Sequence, residues 1–122
     1  MIELKSIKKI AVVGASANPE KYGNKIVRDL LAKDFVVFSL NLKEEIIEGQ
    51  KVYKKLADLP EPAELIDIVL PPQQGIEVLR EALALGYKNF WIQPGAESPE
   101  IIALLDATPE VDYIANSCIM LR

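Results

Sequence analysis

The sequence predicts one α/β domain, with a doubly wound, mainly parallel sheet of five strands and helices on both faces. Three observations predict it. Short apolar runs alternate with segments whose apolar residues recur at helical spacing, the pattern of linked βαβ units. The first run, Ile10-Ala11-Val12-Val13, carries no polar residue to turn toward water, as expected of a strand buried on both faces. Gly14-Ala15-Ser16 then leads toward a helix-like segment, the place where nucleotide-binding α/β folds present N–H groups to a phosphate. The 122 residues suit one domain, and a chain of that size hides roughly two-thirds of its unfolded surface.

The first strand is expected over Lys9–Val13. A helix follows over Gly23–Lys33, with Ile26, Val27, Leu30 and Leu31 inward and Lys25, Arg28, Asp29 and Lys33 outward. Phe35–Leu40 is rich in β-formers and reads as the second strand. Residues 41–55 are less regular, with Ile46, Ile47, Val52 and Tyr53 packing under a loop around Gly49. One helical turn over Leu56–Leu59 stops at Pro60 and Pro62. Leu65–Leu70 is the third strand and ends at Pro71-Pro72. Gln73–Leu85 is a helix closed by Gly86. Asn89–Ile92 is the fourth strand. Ser98-Pro99-Glu100 starts a short helix with a capping side chain, a proline and an acid. Val111–Ile114 is the fifth strand, and the tail forms a loop and a terminal turn. Right-handed crossovers favour a doubly wound order such as 3-2-1-4-5.

Composition closes several functional classes. The net charge of −4 and the lack of a basic stripe argue against nucleic acid. No apolar run approaches the about 20 residues that span a bilayer, and no signal peptide is visible at the start, so a cytoplasmic location and no membrane partner are expected. Cys118 is the one cysteine, which excludes an internal disulfide and a multi-cysteine metal site. The chain has no histidine, so histidine bases, histidine metal ligands and phosphohistidine are closed to it acting alone.

Ligands of doubly wound sheets bind beyond the carboxyl ends of the strands, so the loops there are the candidate site. The first departs from the dinucleotide fingerprint G-x-G-x-x-G: Ser16 stands at the second glycine and Pro19 at the third, with Gly23 later. The Ser16 hydroxyl can donate to a phosphate, and Lys21 adds charge. After the second strand an NAD site would place an acid, whereas this chain has Asn41 and Lys43, and lysine suits a phosphorylated ribose as in NADP or coenzyme A. Pro71 and Pro72 form a stiff apolar wall that can flank an adenine. Gln93 can donate and accept, and Gly95 permits close backbone approach. Trp91 reads as core, and Cys118 lacks a histidine to activate it.

Val13-Gly14-Ala15-Ser16, Pro19, Lys21, residues 41–49, Trp91-Ile92-Gln93-Pro94-Gly95-Ala96 and Cys118-Ile119-Met120 together resemble the small stand-alone CoA-binding domain family, which is similar to the CoA-binding domain of the succinyl-CoA synthetase α-subunit. The resemblance covers about Ile7 to Leu121. It implies a Rossmann-like domain over residues 1–122 that binds coenzyme A or an acyl-CoA. It places Gly14, Ala15, Ser16, Lys21 and Gly23 near the phosphates or pantetheine arm. Asn41 and Lys43 fall near the adenosine phosphates, and Leu70, Pro71 and Pro72 near the adenine. Gln93, Pro94 and Gly95 correspond to the loop from which the synthetase-like proteins continue into catalytic parts. Leu42 stands where the family often has proline. The synthetase phosphohistidine belongs to a separate domain, so the resemblance supports binding and not ligase activity. No protein partner is implied. The alternative is an NAD(P)-binding oxidoreductase or accessory domain, which the missing second glycine and missing acid count against.

Overall fold

Strand-forming residues and burial set the architecture, described here by a computed structural model for residues 2–122. The strands are β1 (Lys9–Val13), β2 (Val36–Leu40), β3 (Ile46–Ile47), β4 (Gln50–Tyr53), β5 (Leu65–Ile68), β6 (Asn89–Ile92) and β7 (Asp112–Ala115). They form one seven-stranded sheet in the order β3-β4-β2-β1-β5-β6-β7. Only the β3–β4 pair is antiparallel. The helices are α1 (Tyr22–Ala32), α2 (Pro72–Ala84) and α3 (Pro99–Ala107). The expected Rossmann-like α/β class is observed.

Two expectations are corrected. The sheet has seven strands rather than five, because residues 46–53 form a hairpin. Its turn, Glu48-Gly49, takes positive φ at both positions (50° and 75°), the conformation that lets a two-residue turn follow the strand twist. The order 3-2-1-4-5 also fails for the strands to which it was assigned. The place outside β2 is taken by β4, which pairs Ser39 with Val52 and Leu40 with Tyr53. The expected third strand, now β5, lies on the far side of β1, pairing Val12 with Asp67.

Alternation along the strands builds two cores. Ile10, Val12, Val37, Leu65 and Trp91 meet Ile26, Val27 and Leu30 of α1 on one face. Ala11, Val13, Phe38, Ile66, Ile68, Phe90 and Ile92 meet Ile76 and Leu79 of α2 and Ile101 and Leu105 of α3 on the other. Each fully buried side chain of this size contributes ~1.5–3 kcal/mol. Trp91 is core, with its indole N–H donating to the Ser117 carbonyl at 2.8 Å. This packing fixes the carboxyl ends of the strands and the loops that leave them.

Candidate functional site

β1 and β5 are neighbours whose chains depart in opposite directions, β1 through α1 to β2 and β5 through α2 to β6. This is the switch point at which doubly wound sheets open a crevice. The two loops there approach closely. Gly14 has φ 102°, and a Cβ on it would lie 3.1 Å from the Leu70 nitrogen. A Cβ on Gly23 would lie 2.2 Å from the Gly14 carbonyl oxygen. Gly23 therefore serves the packing of α1 onto the loop, the work of the last fingerprint glycine.

Side chains fix the shape of this loop, in which Ala15 is buried and Gly14 and Ser16 are half-buried. Asn24, fully buried, donates from Nδ2 to the Ser16 carbonyl (2.9 Å) and to Glu48 Oε2 (3.1 Å). Arg28 Nε donates to Asn24 Oδ1 (2.7 Å), and its Nη2 donates to the Pro19 carbonyl (3.0 Å). Ser16 Oγ accepts from the Asn18 N–H at 3.1 Å, which leaves its hydroxyl proton to donate elsewhere. Asn41 ties the second loop to the first: Nδ2 donates to the Ala15 carbonyl (2.9 Å), and Oδ1 accepts from the N–H groups of Lys43 and Glu44 (2.7 and 2.9 Å). Asn41 thus positions both loops. Lys21 and Lys43 are exposed at their rims.

The helix starts differ in an informative way. α3 is capped by Ser98, whose Oγ accepts from the Ile101 N–H, and it has Glu100 in its first turn. α1 and α2 begin at Lys21 and Pro71 with no side-chain cap and no acid in the first turn. A helix start leaves N–H groups without intrahelical acceptors and a partial positive charge. Two such starts flank the β1–β5 switch point. Pro71 is exposed and Pro72 half-buried beside half-buried Leu70, so the proline wall also punctuates α2.

The fourth loop carries a group that the sequence reading missed. Gln93 is fully buried, and its amide is engaged internally. Nε2 donates to Asp67 Oδ1 at 2.6 Å; Oε1 accepts from the Tyr22 hydroxyl (3.2 Å) and the Ile119 N–H (3.3 Å). The Tyr22 oxygen lies 2.6 Å from Cys118 Sγ. Burial pushes the Asp67 carboxyl up to about 7, against the weaker opposing effect of the Gln93 bond. Burial, then the bond to Cys118, raises the Tyr22 phenol above its ordinary range. Pro94 and Gly95 remain exposed, so this loop meets solvent through them rather than through the Gln93 amide. The sequence signal was Asp67 itself, a lone carboxylate inside the apolar run Leu65–Leu70. Asn24, Tyr22 and Glu48 gave no comparable signal.

A hollow of about 500 Å³ lies at the opposite, amino ends of β5 and β6, lined by Pro60, Pro62, Tyr87 and the acids Glu61 and Glu64. It has neither the glycine loop nor an open helix start, and its two lining acids outnumber its one lining lysine, Lys88. The loops at the carboxyl ends are the better candidate.

Fold and loops define the class: a Rossmann-like α/β domain with its glycine loop and two uncapped helix starts at one end of the sheet. The chain belongs to the family of CoA binding domains, whose model matches residues 8–122. It is 34% identical over 86 residues to the alpha subunit of ADP-forming acetate–CoA ligase II of Pyrococcus furiosus, covering 68% of this chain and 18% of that one. It is 36% identical over 92 residues to the ADP-forming acetate–CoA ligase of Methanocaldococcus jannaschii, covering 71% and 13%. The chain thus spans under a fifth of the length of these curated relatives. Among solved structures, a conserved hypothetical protein of Pyrococcus furiosus superposes with a TM-score of 0.88 at 46% identity, over 93% of this chain and 97% of that one. A hypothetical protein of Pyrococcus horikoshii gives 0.89 at 32%, over 97% and 82%. Among the described residues no helix is long and apolar enough to cross a membrane.

Proposed function

We propose that this protein binds coenzyme A, or an acyl-CoA, across the carboxyl ends of β1, β2, β5 and β6, and performs no bond-making chemistry of its own. One observation carries the reading. In a chain of this family, the two helices that open on the crevice, α1 and α2, lack both a capping side chain and a first-turn acid, while α3 has both. An anionic ligand would complete the open helix ends.

In this reading Gly14, Ala15, Ser16 and Lys21 meet the phosphates or pantetheine arm, with Gly23 allowing α1 to approach. Lys43, on the loop shaped by Asn41, meets the phosphorylated ribose. Leu70, Pro71 and Pro72 flank the adenine, and Pro94 and Gly95 lie along the arm with Gln93 holding their loop from within. Each charge-assisted contact is worth roughly 1.5–3 kcal/mol. The chain has no histidine to carry a phosphoryl group, which supports binding rather than ligation.

Calorimetry with coenzyme A, dephospho-CoA and NADP tests the reading. Saturable coenzyme A binding is expected, weaker for dephospho-CoA, and Lys43→Ala is expected to remove that preference. NADP binding without coenzyme A binding, or no binding of coenzyme A or acetyl-CoA at millimolar concentration, overturns it.

A further inference from the structure

Asp67 is the one charged side chain buried in the interior among the described residues. Its Oδ2 is buried with no hydrogen-bond partner, and its Oδ1 is taken by Gln93. That bond fixes the Gln93 amide, with Nε2 toward Asp67 and Oε1 toward the Tyr22 hydroxyl and the Ile119 N–H. Asp67 is thereby linked through Gln93 to the C-terminal segment, residues 116–122. The segment is otherwise tied down by Trp91 Nε1 to the Ser117 carbonyl (2.8 Å), Lys33 Nζ to the Met120 carbonyl (2.9 Å) and the Tyr22–Cys118 contact (2.6 Å). Ile119 is its one buried residue.

We propose that Asp67 is a proton-controlled latch on the C-terminal segment: neutral, it lets Gln93 and Tyr22 hold residues 116–122 against the sheet, and ionised, it drives that segment open so that water reaches the carboxylate.

The surroundings of Asp67 leave its charge without compensation. Its register partners, Val12 of β1 and Trp91 of β6, are apolar. Tyr22 of α1 lies close enough to interact with its charge, Cys118 touches the Tyr22 oxygen at 2.6 Å, and the Arg122 guanidinium is placed over the Trp91 ring at 5.6 Å. None of these pairs with the carboxylate, and Gln93 alone offsets the desolvation that raises the group from 3.8 to about 7. Hydration is the remaining remedy. Residues 116–122, joined to Asp67 through Gln93 and burying the single side chain of Ile119, have little apolar packing to lose and open most readily.

The sign follows from linkage. In the open form the carboxyl returns toward its ordinary value, so the open form binds fewer protons than the closed one between 3.8 and about 7. Opening therefore grows about tenfold per pH unit in that window and levels off above it.

Amide exchange at Ile119 N–H reads this without any ligand, so its result is independent of the coenzyme A titration. Intrinsic exchange is base-catalysed and itself rises about tenfold per pH unit; opening multiplies it. The latch predicts about a hundredfold rise per unit below roughly pH 7 and about tenfold above, a break that Asp67→Asn removes. The native protein alone decides the matter should the variant fold poorly. A single tenfold slope at Ile119 across the range overturns the proposal. So does the same break with the same protection at Val12 N–H, since the titration would then act on the whole fold.

Discussion

Gly23 shows how one absent methyl group sets the geometry of the crevice. A Cβ there would sit 2.2 Å from the Gly14 oxygen, a backbone atom that cannot rotate away. Gly23→Ala must push α1 off the loop, and we expect a loss of about 1–3 kcal/mol in denaturant unfolding together with weakened coenzyme A binding. Stability within about 0.5 kcal/mol of the native protein would contradict the packing role. Lys21 acts in the opposite sense. It stands at the N-cap of α1 with no capping bond. Lys21→Asp supplies the missing cap and is expected to raise stability by about 0.5–1 kcal/mol while lowering coenzyme A affinity, because it places a negative charge where the phosphates are proposed to lie. Binding and stability moving in the same direction would remove this helix start from the site. At this scale the sequence was partly legible. Gly14, Ser16, Lys21 and Lys43 stand out by type and place. Asn24, Tyr22 and Glu48 do not, because their roles come from contacts formed only on folding: Tyr22 meets Gln93 and Cys118 across 71 and 96 residues of chain.

The elements divide between those whose residues specify them locally and those that need a neighbour. β1 and β6 have the bounds expected from their apolar runs, and α3 starts at the Ser-Pro-Glu signal. The β3–β4 hairpin was read as irregular chain for a physical reason. β3 has two residues and β4 four, and Ile46 is 63% exposed while Ile47 is buried. So few residues carry too little periodicity to distinguish a strand from a loop. β4 is defined by its parallel pairing to β2, a tertiary contact. Missing it displaced the whole strand order by one place. The hairpin also delivers Glu48 to Asn24, so it supports the Gly14–Ser16 loop as well as the sheet edge.

For the molecule as a whole, two-sided burial of β1, β5 and β6 fixes a rigid frame, and the proposed binding falls to the loops at one end of it. The class was legible because a parallel sheet writes itself as apolar runs separated by helices. The interior proton site was not, because alternation tells which face Asp67 occupies but not that Oδ2 would find no partner there. A ligand that binds only the folded form also stabilises it, yet that effect does not say where it binds. The most direct test of the central claim is therefore a backbone amide NMR titration with coenzyme A. The account predicts that the largest shifts fall on Gly14, Ala15, Ser16, Tyr22, Gly23, Lys43 and Gln73, the amides of the first two loops and the two uncapped helix starts. Shifts centred instead on Leu85, Tyr87 and Lys88 at the amino ends of the strands, or none at millimolar coenzyme A, would contradict it.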